Sequence, residues 1–168
     1  MQLDHYSINF NAHTFPITVI CENVTNAPNI GSLFRTADAF GVEELVFCGA
    51  HIPLGRKMTK TSRATEKSVK FKQAAEALTV VSELKQKDYT IIALEITSKS
   101  KALVDFIFPK HKPIALVIGD ENFGVSDTIL KLCDAVIHID MFGQNSSMNV
   151  VQATSVTLYE ITKQIKQS

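Results

Sequence analysis

Near the end of the chain, the stretch FGQNSSMNVVQA places Gln144, Asn145, Ser146, Ser147 and Asn149 directly before an apolar segment. A helix cap uses one such side chain, so the surplus predicts hydrogen-bonding groups aimed at a ligand. Two other stretches carry comparable chemistry. In ENVTNAPNIGSLFRT, Asn26, Asn29 and Arg35 follow one apolar run and enter a helical pattern. Arg35 is expected early in its helix and off the apolar stripe, where the dipole disfavours a cation, and an anion such as an RNA phosphate is one partner that would account for it. The plainer alternative is an ion pair with Asp38. In VIGDENFGVSD, Gly119 and Gly124 bracket a strand-to-helix turn that has neither the GxGxxG nor the GK[ST] pattern of phosphate loops. Asp120 and Glu121 would repel a pyrophosphate, and an acidic turn suits a ribose diol, an amine or a sulfonium. The alternative is a glycine-closed turn with solvated carboxylates.

A fourth segment, GRKMTKTSRATEKSVKFK, is basic. Arg56, Lys57, Lys60, Arg63, Lys67, Lys70 and Lys72 are seven of the 17 Lys and Arg of a chain with zero net charge, against one acid, Glu66. Such a run is usually a solvated face. Its position after a strand end suits a loop that holds backbone phosphates. It has no aromatic residue before Phe71, so no base-stacking platform is predicted there.

The elements that must position these residues alternate in type. Apolar runs at 15–24, 43–49, 89–96, 113–119 and 135–140 read as strands, several covered on both faces. Helical spacing covers 29–40, with Asn29 as a plausible N-cap and Gly41 as the stop. It also covers 72–87, a short helix capped by Ser126, and 147–165. This alternation predicts an α/β domain with a mostly parallel sheet and helices on both faces, whose ligands sit at the carboxyl ends of the strands. The last helix has no wholly polar face over its first three turns and should be buried all round, which predicts a homodimer through it.

The 168 residues, 45% apolar and 20% charged, suit a single domain spanning 1–168 with a real core. No apolar run is long enough to cross a bilayer, the start MQLDHYSINF is no signal peptide, and no membrane partner is expected. Cys21, Cys48 and Cys133 lie far apart in or beside apolar runs. They predict reduced core thiols in a cytoplasmic protein, with no metal site.

Together, NAPNIGSLFRTADAFGVEELVF, LVIGDENFGVSD and IHIDMFGQNSSMNVVQATSVTLYE resemble, in order and spacing over roughly 17–165, the three motifs of the SpoU-type (TrmH-like) RNA 2′-O-ribose methyltransferases of the SPOUT superfamily. The resemblance implies S-adenosylmethionine as cofactor, a deep C-terminal trefoil knot and a dimer with its site near the interface. It implies that Arg35 helps activate the ribose 2′-hydroxyl, Asn29 supports it, Glu121 braces the cofactor loop, and Ser147 and Asn149 shape the catalytic pocket. The cofactor would lie against Leu94, Gly119, Ile139, Met141, Ser147 and Met148. A guanidinium holds its proton tightly, so Arg35 is expected to hold phosphate and stabilise a developing alkoxide, with proton removal as a second role.

The chain also departs from the family. Asp140 stands where the third motif usually has proline, and Met148 replaces the commoner Leu. The basic segment lacks the Trp of some tRNA-modifying relatives, and no separate N-terminal RNA-binding domain is expected. RNA, tRNA before rRNA, is therefore expected on the catalytic dimer itself, through Arg56, Lys57, Lys60, Arg63 and Lys67. The competing readings are a catalytically silent knotted RNA-binding protein and, more weakly, a nucleotide-cofactor oxidoreductase.

Overall fold

The computed structural model describes residues 10–166. The start MQLDHYSINF lies almost wholly outside them. Seven parallel strands form one sheet in the order β3-β2-β1-β6-β4-β7-β5. They are β1 (Phe15–Glu22), β2 (Val42–Cys48), β3 (Phe71–Ala74), β4 (Thr90–Leu94), β5 (Lys101–Ala102), β6 (Ile114–Ile118) and β7 (Ala135–His138). The helices are α1 (Ala27–Ala39), α2 (Arg56–Ser62), α3 (Ala77–Gln86), α4 (Asp127–Leu130) and α5 (Val150–Lys166).

The continuous apolar runs are the central strands, and their two-residue period divides the core. Ile17, Val19 and Cys21 of β1 pack on one face with Ile30, Leu33 and Phe34 of α1 and Leu158 and Ile161 of α5. Ile20, between them, faces the other side with Val80, Val81 and Leu84 of α3 and Ile129 of α4. All five residues of β6 are buried, as expected for a strand covered on both faces. The parallel sheet with helices on both faces is therefore the predicted one.

Several boundaries differ from expectation. Asn26, not Asn29, caps α1, and its side chain accepts the Asn29 N–H at 3.0 Å. Pro28 enters the first turn, where its missing N–H removes no helical bond. The predicted helix over 72–87 is two elements. Phe71–Ala74 pairs with β2 in the register Leu45↔Phe71 to Cys48↔Ala74, and only then does α3 begin. Local helix propensity at KQAA yields there to strand pairing with a distant partner. The basic segment is not a loop. It is α2, a 3-10 turn over 65–67, and then β3. α5 begins at Val150 rather than Ser147 and is not buried all round in one chain, since Val156 is 44% and Tyr159 60% exposed.

Candidate active site

The carboxyl ends of β4, β6 and β7 open on a cavity of about 520 Å³. All six residues predicted to hold the cofactor line it: Leu94 from β4, Gly119 after β6, Ile139 and Met141 after β7, and Ser147 and Met148 before α5. Its volume lies within the range of about 300–1,000 Å³ typical of small-molecule sites.

One three-residue cluster joins the polar motifs. Asn29 Nδ2 donates to Glu121 Oε1 at 3.0 Å, and Asn149 Nδ2 donates to the same oxygen at 2.7 Å. Asn149 Nδ2 also donates to Asn29 Oδ1 at 3.2 Å. These contacts cross 92, 28 and 120 residues of chain. Local structure aims each member. With Asn26 as the cap, the Asn29 side chain is free to leave α1 sideways. Asn149 is itself a cap: its Oδ1 accepts the Val151 N–H at 2.9 Å, which leaves its nitrogen for Glu121. The capping reading of the third motif therefore holds in Asn149, and of its surplus polar residues Ser147 and Asn149 line the cavity while Gln144, Asn145 and Ser146 do not. Glu121 rides a tight turn in which the Asp120 carboxylate accepts the Asn122 and Phe123 N–H groups at 2.8 and 3.2 Å.

The turn is not a phosphate loop. The N–H groups that a phosphate would seek are already taken, Val125 by Glu95 at 2.9 Å and Ser126 by Glu22 at 2.9 Å. Ser126 stands at the cap position of α4 but does not cap with its side chain. Its hydroxyl donates to Glu22 Oε1 at 2.7 Å. Glu95, Asp120 and Glu121 line the cavity with no Lys or Arg among the lining residues. Apolar walls with carboxylates, and no lysine or arginine for a phosphate, fit an adenosyl sulfonium and oppose the oxidoreductase reading.

Arg35 is elsewhere. It lies in the second half of α1, so the helix dipole says nothing about it. Six residues beyond Asn29, it is about 9 Å further along the axis, neither in the cluster nor on the cavity wall. It is exposed, and the Asp38 ion pair is not formed: among the described residues Arg35 has no salt bridge, while Asp38 accepts from Ser68 at 3.5 Å.

The basic segment divides. Lys70 and Lys72 both pair with Glu44, at 3.6 and 3.3 Å. Arg56, Lys57, Lys60, Arg63 and Lys67, the five predicted for RNA, are exposed and form no ion pair among the described residues. Glu66 accepts the Ser62 hydroxyl, which holds its carboxyl below the ordinary value. α2 is locked to α1 by close approach. A Cβ on Gly31 would lie 2.0 Å from Thr61 Oγ1 and 2.3 Å from the Met58 carbonyl oxygen, and the Thr61 hydroxyl donates to the Pro28 carbonyl at 3.1 Å.

Sequence reading missed Glu95 and His138 on the cavity wall. His138 pairs with Asp140, the residue at the usual proline position, at 3.4 Å. The strand period marked His138 only as one of a strand's side chains. For Glu95 the available signal was a carboxylate near the end of the apolar run 89–96.

Residues 16–159 match the SpoU rRNA Methylase family. The tRNA (guanosine(18)-2′-O)-methyltransferase of Aquifex aeolicus is 32% identical over 149 residues, covering 88% of this chain and 69% of that protein. The crystal structure of the A. aeolicus TrmH/SpoU tRNA modifying enzyme superposes with a TM-score of 0.84 at 28% identity, over 93% of this chain and 78% of that one. The SpoU methyltransferase AviRb from Streptomyces viridochromogenes, solved in complex with AdoMet, shares the fold at a TM-score of 0.80 and 24% identity, over 98% of this chain and 66% of that one. Some relatives are longer, and this chain spans 51% of a Mycobacterium tuberculosis relative that is 30% identical. The chain belongs to the SpoU methylase family of S-adenosylmethionine-dependent RNA 2′-O-ribose methyltransferases.

Proposed function

We propose that this protein methylates a ribose 2′-hydroxyl of tRNA, as a homodimer closed by α5 around a C-terminal trefoil knot. The observation that carries the reading is the Asn29–Glu121–Asn149 cluster at an acidic cavity without a phosphate site. The tRNA enzyme of A. aeolicus supports the choice of substrate. The exposed Val156 and Tyr159 on α5 support the dimer. The sheet order supports the knot, because β5 pairs outside β7 and the chain after β7 must return past segment 95–113 to bring α5 onto α1. Three free thiols in or near the core support a reducing, cytoplasmic setting.

S-adenosylmethionine supplies a methyl group on a positive sulfur that leaves neutral. The protein's task is then alignment of the hydroxyl. Glu121 orients both asparagine amides through one oxygen, and Oε2 has no protein partner among the described residues. That oxygen and the Ser147 hydroxyl on the cavity wall are the groups a ribose hydroxyl would meet. Arg35, remote from the cluster of its own chain, holds phosphate on the helix against which the basic α2 packs.

The test is transfer of labelled methyl from S-adenosylmethionine to bulk tRNA and bulk rRNA separately, with 2′-O-methyls mapped by nuclease resistance and mass spectrometry. Label in tRNA ribose is expected. Label in rRNA alone would keep the chemistry and move the substrate. Cofactor binding with no transfer to either would favour the silent RNA-binding protein.

A further inference from the structure

The exit of the acidic turn is held by carboxylates at the ends of two different strands. Val125 N–H donates to Glu95 Oε2 and the next N–H, Ser126, to Glu22 Oε2, both at 2.9 Å. Glu22 ends β1, is buried at 8% exposure and does not line the main cavity. Glu95 is the first residue after β4 and does line it. Its other oxygen accepts its neighbour's N–H, from Ile96, at 2.9 Å, which fixes the carboxylate plane. Gly124, at φ +67°, lies so close that an added Cβ would stand 2.2 Å from Glu95 Oε2. The carboxylate thus fills the space above the glycine that closes the turn.

The turn transmits this position to Glu121. The Gly124 N–H donates to the Asp120 carbonyl at 2.8 Å. The Asp120 carboxylate holds the Asn122 and Phe123 N–H groups, with Glu121 between the two ends. A surface turn with solvated backbone is costly to hold in one conformation, and a charge-assisted bond to its exit is the means present here.

We propose that Glu95 is a positioning residue for methyl transfer, holding the turn so that Glu121 bridges Asn29 and Asn149 beside the methyl-donor cavity. This rests on the reading of that cavity as the S-adenosylmethionine site.

The test combines Glu95→Ala, Glu95→Gln, Glu121→Ala and the double variant Glu95→Ala/Glu121→Ala, each measured for kcat, RNA KM, cofactor Kd by calorimetry, and Tm. Glu95→Ala is expected to lower kcat about tenfold or more, the scale of a lost charged hydrogen bond, with RNA KM held within about twofold. Glu95→Gln recovers most of it, because its amide oxygen still accepts the Val125 N–H. In the Glu121→Ala background the Glu95 change costs no further kcat, since both act through one group. Glu22→Ala loosens the adjacent N–H without touching the cavity, so it reports what destabilisation alone does. Additive kcat losses, or a Glu95→Ala protein with unchanged kcat or one matching Glu22→Ala in every readout, would overturn the proposal. Failure of the wild type to bind S-adenosylmethionine would instead remove the cavity reading, and the role of Glu95 with it.

Discussion

Asn149 uses both ends of one amide. Its oxygen caps α5 and its nitrogen serves Glu121 and Asn29. Asn149→Asp keeps a capping oxygen but sets a second carboxylate against Glu121. Methyl transfer should therefore fall by about 100-fold or more while the cap contribution, about 1 kcal/mol, is retained. Asn149→Ala should lose both, and a thermal melt beside the transfer assay separates them. Arg35→Ala removes an exposed group with no ion pair among the described residues, so Tm should hardly move while RNA KM rises. An unchanged RNA KM would remove its phosphate role. At this scale residue types were legible and partners were not. The polar surplus before α5 drew attention to Ser147 and Asn149, but nothing local to Asn29, Glu121 or Asn149 states that the three meet. The assignment of the cap to Asn29 failed because Asn26 and Asn29 are both good capping residues. Pro28 suits the first turn only if the helix begins before it.

At the scale of elements, α2 turns a run of basic residues into a presented face. Met58 and Ser62 point inward, and Gly31 of α1 allows the close approach. Gly31→Ala should push α2 from α1, lowering Tm and weakening RNA binding together while leaving the fold of the cavity side in place. Replacing Arg56, Lys57 and Lys60 by Gln should weaken RNA binding across sequences and flatten its salt dependence by about 0.7–0.9 log unit per lost phosphate contact, with cofactor Kd unchanged. Lys70→Gln is expected to do far less, because Glu44 already holds that charge. Binding titrations at several salt concentrations check both. The helix was illegible because its period is masked: polar residues occupy six of its seven positions, three of them charged, and only contact with α1 shows which side is in.

At the scale of the whole molecule, the core sets a limit at high pH. Burial first, and the Glu22 carboxylate second, push the Cys48 thiol from 9.0 to about 11, against a smaller opposing effect of Lys72. Burial, with Asp134 next, takes Cys133 to about 12. The folded state therefore favours the protonated thiols. Their contribution is complete below the unfolded pKa near 9 and is lost as pH rises through about 11 for Cys48 and about 12 for Cys133. Denaturant midpoints should fall over that interval, and less steeply in Cys48→Ala. Thiol reagents at pH 7.5 should label Cys48 slowly until the protein unfolds. The proposed α5 dimer interface gives a second test: Tyr159→Asp is expected to shift the mass seen by light scattering from dimer to monomer and to reduce methyl transfer with it.

What the sequence determined by itself was the kind of parts: buried parallel strands from continuous apolar runs, helices from their spacing, and acidic and amide groups placed after strand ends. These follow from periodicity and near-neighbour chemistry, which a linear reading contains. Only the tertiary structure decided which parts meet. Strand pairing made β3 from residues with helical propensity. The order that sets β6 between β1 and β4 brought three motifs to one Glu121 oxygen, while the helical rise carried Arg35 away from it. The physical reason is that such contacts depend on register and packing between segments up to 120 residues apart, which no local pattern encodes.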